Sequence, residues 1–424
     1  MHVAVIGAGI VGLTTAWYLA KLGVDVTLVD SGEPGSGASG GNGGQLSYDF
    51  VAPLADPSVI AKIPSLLWQK QSPLRVRWRC DLDFYRWLAG FMRACNRSSV
   101  VNTTELLLKL AHESRALAVD FFEQESATAD YRVAGKLVLF RDQPSFNSAQ
   151  RQVALQAKLG SEQRAVTAEE CVAIEPALAR DAANIVGAIW TPTEAVVDTA
   201  KLCEKLMSAL SERGGFRFVR AQVGRVCVTG NSADRLITSI GELRADAYVV
   251  AAGTQSKRLL RPLGIHLPIE PLKGYSITVP ITQDAAAPSV SITDSAKKIV
   301  YARLGNRLRI AGMAELVGHD SSIEQARVDQ LSKSALDLFG EFGNFKEISP
   351  WVGFRPATPS GVPIFGRSSV AGLYLNVGHG GLGLTLSFAS SFWLARALVE
   401  RMSARSGATE KEGGQTWLQS FQCP

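Results

Sequence analysis

The stretch HVAVIGAGIVGLTTAWYLAKLGVDVTLVD, residues 2–30, decides the fold. It predicts a short strand, a glycine turn, a helix and a second strand that ends in an acidic residue. Gly7 allows the tight turn, Gly9 lets the backbone approach a pyrophosphate, and Gly12 lets the helix lie close to the strand. The helix N-terminus, at Ile10 and Val11, offers free N–H groups and a positive dipole end to phosphates. The stretch therefore predicts a dinucleotide site.

Asp30 refines this prediction. It follows Gly12 by eighteen residues, at the end of the second strand. A carboxylate at that place can accept hydrogen bonds from both hydroxyls of an adenosine ribose. The same charge would repel a 2′-phosphate, which disfavours NADP. The motif alone leaves NAD and FAD open.

Length and composition set the broad class. At 424 residues, with 46% hydrophobic and 20% charged residues, the chain is a globular protein of more than one domain. Its net charge of +5 is dispersed, so nucleic-acid binding is not indicated. The six cysteines form no CxxC pair and the five histidines are scattered, so we expect reduced thiols and no metal. Because we find neither a basic leader nor an uninterrupted apolar run of about 18 residues, we expect a cytoplasmic protein that could touch a membrane surface.

A glycine-rich segment, Ser31–Gln45, follows the ribose-binding strand directly. Seven of the thirteen residues from Gly32 to Gly44 are glycine, which composition alone would assign to a flexible linker. Its position favours a ligand loop that wraps the diphosphate and the rim of a flavin. The hydrogen-bonding residues of this loop are candidates for cofactor contacts, with two of its glycines: Ser31, Ser39, Asn42, Gly43, Gly44 and Gln45.

The segment Val51–Cys95 mixes tryptophans with arginines. This texture is compatible with a membrane-surface or partner-docking element. It is more typical of a substrate domain whose aromatic residues pack inward and whose arginines face water. Both interpretations stay open here.

The middle of the chain predicts antiparallel strands and helices, whereas both ends predict parallel α/β structure. The glycine-ended strand at Ala247–Ala251 brings backbone at Ala252 and Gly253 close to a ligand, as does the strand that begins at Val223. We therefore predict an α/β fold, in which a Rossmann-type cofactor domain is interleaved with an α+β substrate domain on a mainly antiparallel sheet. The predicted division is 1–51, 160–263 and 351–424 for the first domain, and 52–159 and 264–350 for the second. The main predicted elements of the middle are a strand at Tyr131–Phe140, helices at Thr104–Glu125, Pro144–Leu159 and Thr199–Ser211, and strands at Pro268–Pro280, Ile299–Leu304 and Arg307–Ala311.

Two signals in the closing third carry chemistry. Arg355, between Phe354 and Pro356 with glycines on either side, can offer a planar pair of donors to a carboxylate. The alternative is an arginine that only stabilises the fold. A second glycine loop opens the last helix, where an N-terminus would stabilise the negative charge of a reduced flavin. This loop predicts flavin contacts for His379, Gly380, Gly381, Leu382, Gly383, Leu384 and Thr385.

Several long strings together resemble the flavin-bearing small subunit of bacterial D-amino-acid dehydrogenases, within the D-amino-acid oxidase and glycine oxidase superfamily. They are GAGIVG with Asp30, GGNGGQLS at 40–47, PLKGYSITVPI at 271–281, AGMAELVG at 311–318, GFRPATPSGVPIFGR at 353–367 and NVGHGGLGLTLS at 376–387. The resemblance runs from Met1 to about Glu400.

The resemblance implies noncovalent FAD and oxidation of a D-amino acid to an imino acid by hydride transfer from Cα to flavin N5. The imino acid would hydrolyse to a 2-oxo acid and ammonia, and the electrons would pass to a quinone, a dye or another acceptor rather than O2. It also implies that Arg355 grips the substrate carboxylate, for which we expect Tyr275 or Tyr301 as a hydroxyl partner. His379 completes the candidate catalytic set.

The family pattern is not followed everywhere. Ser360 replaces a frequent Asp, while Gly381 and Leu384 replace Thr and Trp, which leaves the substrate range open. A D-hydroxyproline or D-proline dehydrogenase, or a related secondary-amine oxidoreductase, would use the same scaffold. An alternative of another class is a noncatalytic FAD-binding subunit that docks on a partner enzyme.

Overall fold

The structure, a computed structural model, describes residues 1–51, 54–55, 72–126 and 128–405. We number the described elements in chain order. The strands are β1 His2–Ile6, β2 Asp25–Asp30, β3 Gln45–Leu46, β4 Leu74–Val76, β5 Arg132–Val133, β6 Lys136–Phe140, β7 Arg164–Val166, β8 Gly187–Thr191, β9 Ala195–Val196, β10 Phe216–Arg220, β11 Val223–Thr229, β12 Ser232–Thr238, β13 Gly241–Leu243, β14 Ala247–Val250, β15 Glu270–Pro280, β16 Ser291–Asp294, β17 Ile299–Leu304, β18 Arg307–Leu316, β19 Ser349–Ala357, β20 Ile364–Arg367 and β21 Leu373–Val377.

The helices complete the inventory. They are α1 Ile10–Lys21, α2 Leu82–Ala94, α3 Arg97–Gln124, α4 Gln143–Ala157, α5 Ala168–Ile174, α6 Thr199–Ser211, α7 Ser256–Leu260, α8 Gln325–Phe339 and α9 Gly383–Arg405.

The N-terminal βαβ unit lies at the centre of a six-stranded sheet of order β10-β2-β1-β14-β21-β20. All neighbours are parallel except β20, which runs antiparallel to β21. Both faces of this sheet are covered, as a parallel sheet requires. Val3 and Val5 pack into the core beside α1, α3, α6 and α9, whereas Ala4 and Ile6 face the core beneath the β11-β12-β13 sheet.

The parallel pairing brings distant segments to one edge. Ile6 pairs with Val29 on one side and with Val250 on the other, and Val250 pairs with Leu375. Four strands therefore end at the same edge of the sheet, and each is followed by a segment predicted to hold cofactor. These segments begin at Gly7, Asp30, Ala251 and Gly378.

A second, nine-stranded sheet carries the other half of the molecule. Its order is β19-β15-β18-β17-β16-β6-β8-β7, and β4 adds to β18. The pairs are antiparallel except β16 with β6 and β4 with β18. Together with the parallel sheet, this mainly antiparallel sheet confirms the predicted fold class. The small β3-β9-β5 sheet lies outside both larger sheets.

Alternation along these strands decides which side chains can reach a site. On β6, Leu137 and Leu139 pack into the core beside α8, whereas Lys136, Val138 and Phe140 face a large cavity. Successive side chains of a strand point to opposite faces, so of two adjacent residues on β6 one lies in the core and the other in the cavity wall.

The domain division stays a prediction, but sheet membership departs from it in two places. Residues 160–198 and 351–357 were predicted with the cofactor domain. Strands β7, β8 and β19 instead pair within the nine-stranded sheet. Local sequence could not reveal this because strand pairing is decided by contacts far away in the chain.

Helix and strand limits follow local signals closely. The helix predicted from Thr104 begins at Arg97, because Asn96 accepts the Ser99 N–H and caps it. The predicted strand at Tyr131–Phe140 is divided into β5 and β6 at Gly135, which has φ +67°. The helix at Thr199–Ser211 is found with the predicted limits.

By length and composition the segment Gly380–Ala404 is apolar enough to cross a membrane, and an 18-residue stretch within it has a mean hydropathy of 1.4. However, 61% of that apolar stretch is buried inside the protein, where α9 packs against α1 and α3. Its apolar residues are explained by the core of a globular domain.

Candidate active site

A single cavity of about 2330 Å³ joins the edge of the parallel sheet to one face of the nine-stranded sheet. It is lined by nearly all the residues predicted to bind cofactor or substrate. Among these predicted residues, Gly12, Gly44 and Tyr301 are not part of its wall. The site is therefore assembled from segments that are as far apart in sequence as Gly7 and Thr385.

The first glycine turn is shaped as the motif predicts. Gly7 has φ +107°, and a Cβ there would lie 2.5 Å from the carbonyl oxygen of Ala251. A Cβ on Gly12 would lie 1.7 Å from the carbonyl oxygen of Gly7, so Gly12 serves the close approach of helix and strand and not the cavity wall. Helix α1 begins without a side-chain cap at Gly9, although Ser39 Oγ accepts the Ile10 N–H at 2.9 Å. This turn leaves room and N–H groups for a diphosphate.

Asp30 lies at the cavity wall at the end of β2. Its Oδ2 accepts the Ala8 N–H at 2.6 Å and its Oδ1 accepts the Gly32 N–H at 2.9 Å. Each carboxylate oxygen can accept a further bond, so ribose hydroxyls remain possible partners. Val223 lies beside it at the wall, because the Ala221 N–H donates to the Asp30 carbonyl.

The glycine-rich segment is an ordered part of the site and not a linker. Arg309 donates to the carbonyl oxygens of Asn42 at 2.8 Å and Gly40 at 3.4 Å. Ser276 Oγ donates to the Gly41 carbonyl at 2.9 Å. Two strands of the large sheet thus hold the loop against the cavity. Sequence reasoning missed Arg309, since nothing local distinguishes it from a surface arginine.

The end of this loop differs in detail from the prediction. Gln45 lines the cavity and donates to the Ile292 carbonyl at 3.1 Å. Gly44, predicted to contact cofactor, has φ +71°, and its Cβ would lie 3.1 Å from both Leu304 and the Val197 carbonyl. It is needed for the turn and for packing against β17 and β9.

The C-terminal glycine loop is placed at the cavity between β21 and α9. Gly378 and Gly380 have φ of +77° and +56°, which allow the chain to turn into the helix. His379 is 2% exposed, its Nε2 lies 2.9 Å from Ser390 Oγ, and burial lowers its pKa to about 3. It is therefore neutral at physiological pH. Thr385 Oγ1 in the first turn accepts the Ser47 N–H at 3.2 Å, which joins this helix to the first glycine loop.

Arg355 lies on β19 between two glycines of the cavity wall. A Cβ on Gly274 would lie 2.6 Å from Arg355 Nη2, and a Cβ on Gly381 would lie 3.8 Å from its Cδ. Its Nη1 donates to the Met313 carbonyl at 2.8 Å, and burial lowers its pKa. Among the described residues no carboxylate lies within 4.0 Å of this guanidinium. An enclosed, unpaired guanidinium is suited to a ligand carboxylate.

Neither tyrosine is placed as predicted. Tyr301 is fully buried on the opposite face of β17, where its ring packs edge-on against Phe339 and its hydroxyl has no hydrogen-bond partner among the described residues. Its neighbour Val300 reaches the cavity instead, as strand alternation requires. Tyr275 touches the cavity, but its hydroxyl lies 3.4 Å from Glu315 Oε2 within the core beside α8. Burial, then Glu315, raise its pKa.

A buried lysine is the main residue that sequence reasoning missed. Lys136 is 4% exposed, lines the cavity and donates to Ser47 Oγ at 2.6 Å. Burial lowers its pKa to about 8, against an opposing effect of Glu194. Glu194 accepts three backbone N–H groups, from residues 48, 49 and 50, each at 2.9 Å. The string Gly-Lys-Leu-Val-Leu-Phe gave no sign that its lysine points inward.

Other chemistries find little support in the described part of the chain. It contains no group of three or more His, Cys, Asp or Glu residues that could hold a metal ion. None of the cysteines with described side chains lines the cavity. None of these described cysteines is therefore placed for a covalent link to a flavin in the cavity.

The sequence matches the family described as FAD dependent oxidoreductase over residues 2–397. The chain belongs to this family. Its cofactor is FAD, and the cavity fits that cofactor, since its wall contains the glycine turn that begins at Gly7, Asp30 bonded to that turn, and the two glycine loops. The FAD dependent oxidoreductase fold also explains why the site is built from both chain ends.

Relatives of this FAD dependent oxidoreductase carry more specific names. The chain is 45% identical to D-amino acid dehydrogenase 2 of Ralstonia nicotianae, over 96% of this chain and 99% of that protein. It is 43% identical to D-amino acid dehydrogenase 2 of Pseudomonas aeruginosa, over 97% of each.

Solved structures agree on the fold. Glycine oxidase of Geobacillus kaustophilus superposes with a TM-score of 0.76 at 22% identity, covering 100% of this chain and 98% of that chain. L-proline dehydrogenase of P. horikoshii gives 0.72 at 18% identity, covering 94% and 93%. These likenesses support the architecture of the FAD dependent oxidoreductase described above.

Proposed function

We propose that this protein is an FAD-dependent D-amino-acid dehydrogenase. The observation that carries the proposal is Arg355, an enclosed guanidinium without a carboxylate partner among the described residues, on the cavity that holds the cofactor loops. A noncatalytic FAD-binding subunit has no need for such a group. The names of relatives that are 43–45% identical over nearly the whole chain support the same activity.

The chain's own part in the reaction is to bind and orient the substrate. Arg355 takes the α-carboxylate, and Gly274 and Gly381 leave the space in which the guanidinium and the carboxylate meet. Fixing the carboxylate fixes the direction of the Cα–H bond, which lowers the barrier without a dedicated base. Bound FAD supplies the two-electron acceptor for the hydride.

The products follow from the balance of this step. The Cα–H bond breaks and its electron pair leaves with the hydrogen, while the amine nitrogen forms a C=N bond and loses a proton. Water then adds to the imino acid, which gives a 2-oxo acid and ammonia. A proline-type substrate would instead leave as a cyclic imine.

The test is anaerobic mixing of the purified yellow protein with a panel of D- and L-amino acids, D-hydroxyproline, glycine and sarcosine. We expect D-amino acids to bleach the flavin and their L-enantiomers to leave it oxidised. Arg355→Ala should lose at least about 100-fold in kcat/KM, because a charge-assisted pair is lost, while FAD content is unchanged.

Two matched variants frame this experiment. Arg355→Lys keeps the charge but not the two-pronged geometry and should lie between the parent and Arg355→Ala. Arg225→Ala, an exposed change on β11, should behave as the parent. Bleaching by no D-amino acid, or normal kinetics of Arg355→Ala, would refute the proposal.

We further propose noncovalent FAD and a cytoplasmic protein that rests on a membrane, where a quinone or a similar carrier takes the electrons. Helix α2 presents an exposed apolar stripe, with Leu82 73% and Tyr85 45% exposed and Met92 near its end. Arg86 and Arg93 are exposed beside it. Apolar groups flanked by arginines suit an anionic bilayer surface. Of the tryptophans in this region, Trp68 lies outside the described residues, Trp78 is 61% exposed and Trp87 is buried.

Vesicle sedimentation tests the membrane proposal. Binding should require anionic lipid and should weaken in Leu82→Glu. Equal binding of parent and variant, or no binding to anionic or to neutral vesicles, would exclude α2 as a membrane-binding surface. Reduction of a dye compared with oxygen consumption tests the choice of acceptor.

A further inference from the structure

The cavity contains a second buried cation that the reaction described above does not use. Lys136 Nζ makes one hydrogen bond among the described residues, to Ser47 Oγ at 2.6 Å, and lies 4.8 Å above the Phe50 ring. No described carboxylate lies within 4.0 Å of it. An ammonium has three donors, so two remain available to a ligand in the cavity that Lys136 lines.

A purely structural role does not account for this lysine. The buried carboxylate whose charge acts on Lys136 is Glu194, and it is occupied by three backbone N–H groups of residues 48–50. Lys136 and Glu194 attract each other through space without forming an ion pair. Burying a cation without a direct partner is costly, so such a group is retained where a ligand supplies the missing anion.

Lys136 and Arg355 lie on different strands, and each is linked to the segment from Gly381 to Thr385 at the start of α9. Arg355 lies against Gly381, and Lys136 is joined through Ser47 to Thr385, one helical turn further on. Strands β6 and β19 are separated by four others in the sheet, so the sheet itself does not bring the two cations together. Both cations are instead linked to the loop and the first turn of α9, where the flavin end of the cofactor site is predicted.

The cavity wall around β6 contains both polar and apolar side chains. Gln45, Thr293 and Ser295 offer hydrogen-bonding groups, and Val138 and Phe140 follow Lys136 along the cavity face of β6. The methylene groups of a substrate side chain can therefore pack on β6 while an anionic group at its end reaches Lys136. An uncharged side chain would leave the ammonium without its counter-charge.

We propose that Lys136 binds the side-chain carboxylate of an acidic D-amino acid, whose α-carboxylate is held by Arg355. The preferred substrate class is then the dicarboxylic D-amino acids, D-glutamate or D-aspartate. This inference rests on the proposed function and narrows it. Lys136 contacts substrate and selects it, while the chemistry at Cα is unchanged.

The test compares near-isosteric pairs on the holoenzyme with an artificial electron acceptor. We expect kcat/KM for D-glutamate to exceed that for D-glutamine by at least about 10-fold. Lys136→Met should reduce this ratio to about one, mainly by a loss of D-glutamate activity. Lys158→Met, an exposed lysine after α4, should leave the ratio as in the parent.

A binding measurement without turnover separates recognition from catalysis. Glutarate and butyrate are not oxidised, and either can be titrated into the oxidised holoenzyme while the flavin spectrum is followed. Glutarate should bind at least about 10-fold more tightly than butyrate to the parent, and equally to Lys136→Met. If Lys136→Met fails to fold, the two comparisons on the parent protein still decide.

The outcomes distinguish this inference from the proposed function. If no D-amino acid reduces the flavin, the proposed function itself fails. If D-amino acids reduce it but D-glutamate has no advantage over D-glutamine, or Lys136→Met lowers both equally, only the acidic-substrate inference is overturned.

Discussion

Gly274→Ala tests the substrate clamp without removing any functional group. Gly274 lies on β15 directly under the guanidinium of Arg355, and it has no positive φ, so alanine fits its backbone. A Cβ there would lie 2.6 Å from Nη2 and 2.7 Å from Cζ of Arg355. The atoms in the way belong to the end of a flexible side chain, so we expect the arginine and not the strand to move.

The size of the effect follows from these distances. Ordinary contact begins near 3.4 Å, so the guanidinium must withdraw by about 0.8 Å. A hydrogen bond of about 2.8 Å from the guanidinium to the substrate carboxylate would be stretched to about 3.6 Å and would be lost. Losing one charge-assisted bond costs about 1.5–3 kcal/mol, which corresponds to about 10- to 150-fold in substrate affinity.

Anaerobic stopped-flow reduction of the flavin gives the apparent substrate dissociation constant directly. Gly274→Ala should raise it by that factor, with parental FAD content and a Tm within a few degrees of the parent. Gly214→Ala is the matched control, because Gly214 is exposed and its Cβ would meet nothing within 4 Å. An unchanged dissociation constant would refute the role of Arg355, and a large loss of Tm would refute the claim that only the side chain moves.

Two further predictions concern buried groups. Tyr301→Phe removes a hydroxyl that lacks a hydrogen-bond partner among the described residues. The free energy of unfolding should therefore stay equal or rise by up to about 2 kcal/mol, and kcat/KM should not change. A clear loss of activity would restore the catalytic role predicted from sequence. His379 has its pKa lowered by burial from 6.5 to about 3, so the unfolded chain binds the proton first as pH falls. Its contribution to stability is complete above pH 6.5 and declines below it by up to about 1.4 kcal/mol per pH unit. Urea unfolding at pH 5–7 should show this slope in the parent and a weaker one in His379→Gln; equal slopes would contradict the assignment.

The parts of the site that the sequence predicts are those that depend on backbone conformation and close backbone packing. Gly7 needs a positive φ, Gly12 needs contact between helix and strand, and Gly378 needs a turn into α9. Such requirements leave glycine at fixed spacing in the sequence, and the parallel sheet then carries these turns to one edge. Arg355 was also predictable, since its neighbours Gly353 and Pro356 mark a constrained segment.

The parts that sequence misses depend on which face of a strand a side chain occupies. The hydroxyl of Tyr301 predicts a catalytic role, but the sequence does not show which face a strand residue occupies, and the neighbouring Val300 faces the cavity instead. A shift of one residue along a strand reverses the face. Arg309 and Lys136 were overlooked for the same reason, since each stands among alternating residues that predict only a strand.

The charges of the cavity separate into two classes when their partners are traced. Glu194 is satisfied by the backbone N–H groups of residues 48–50, and Arg309 is satisfied by carbonyls of the glycine loop, so each holds a segment of backbone in place. Arg355 and Lys136 keep donors that no described carboxylate fills. A fold that buries unfilled cations loses stability unless a ligand brings the anions, and the binding energy of that ligand is then concentrated on its charged ends. Two such cations in the wall of one FAD cavity favour a substrate with two negative charges over one with an apolar side chain.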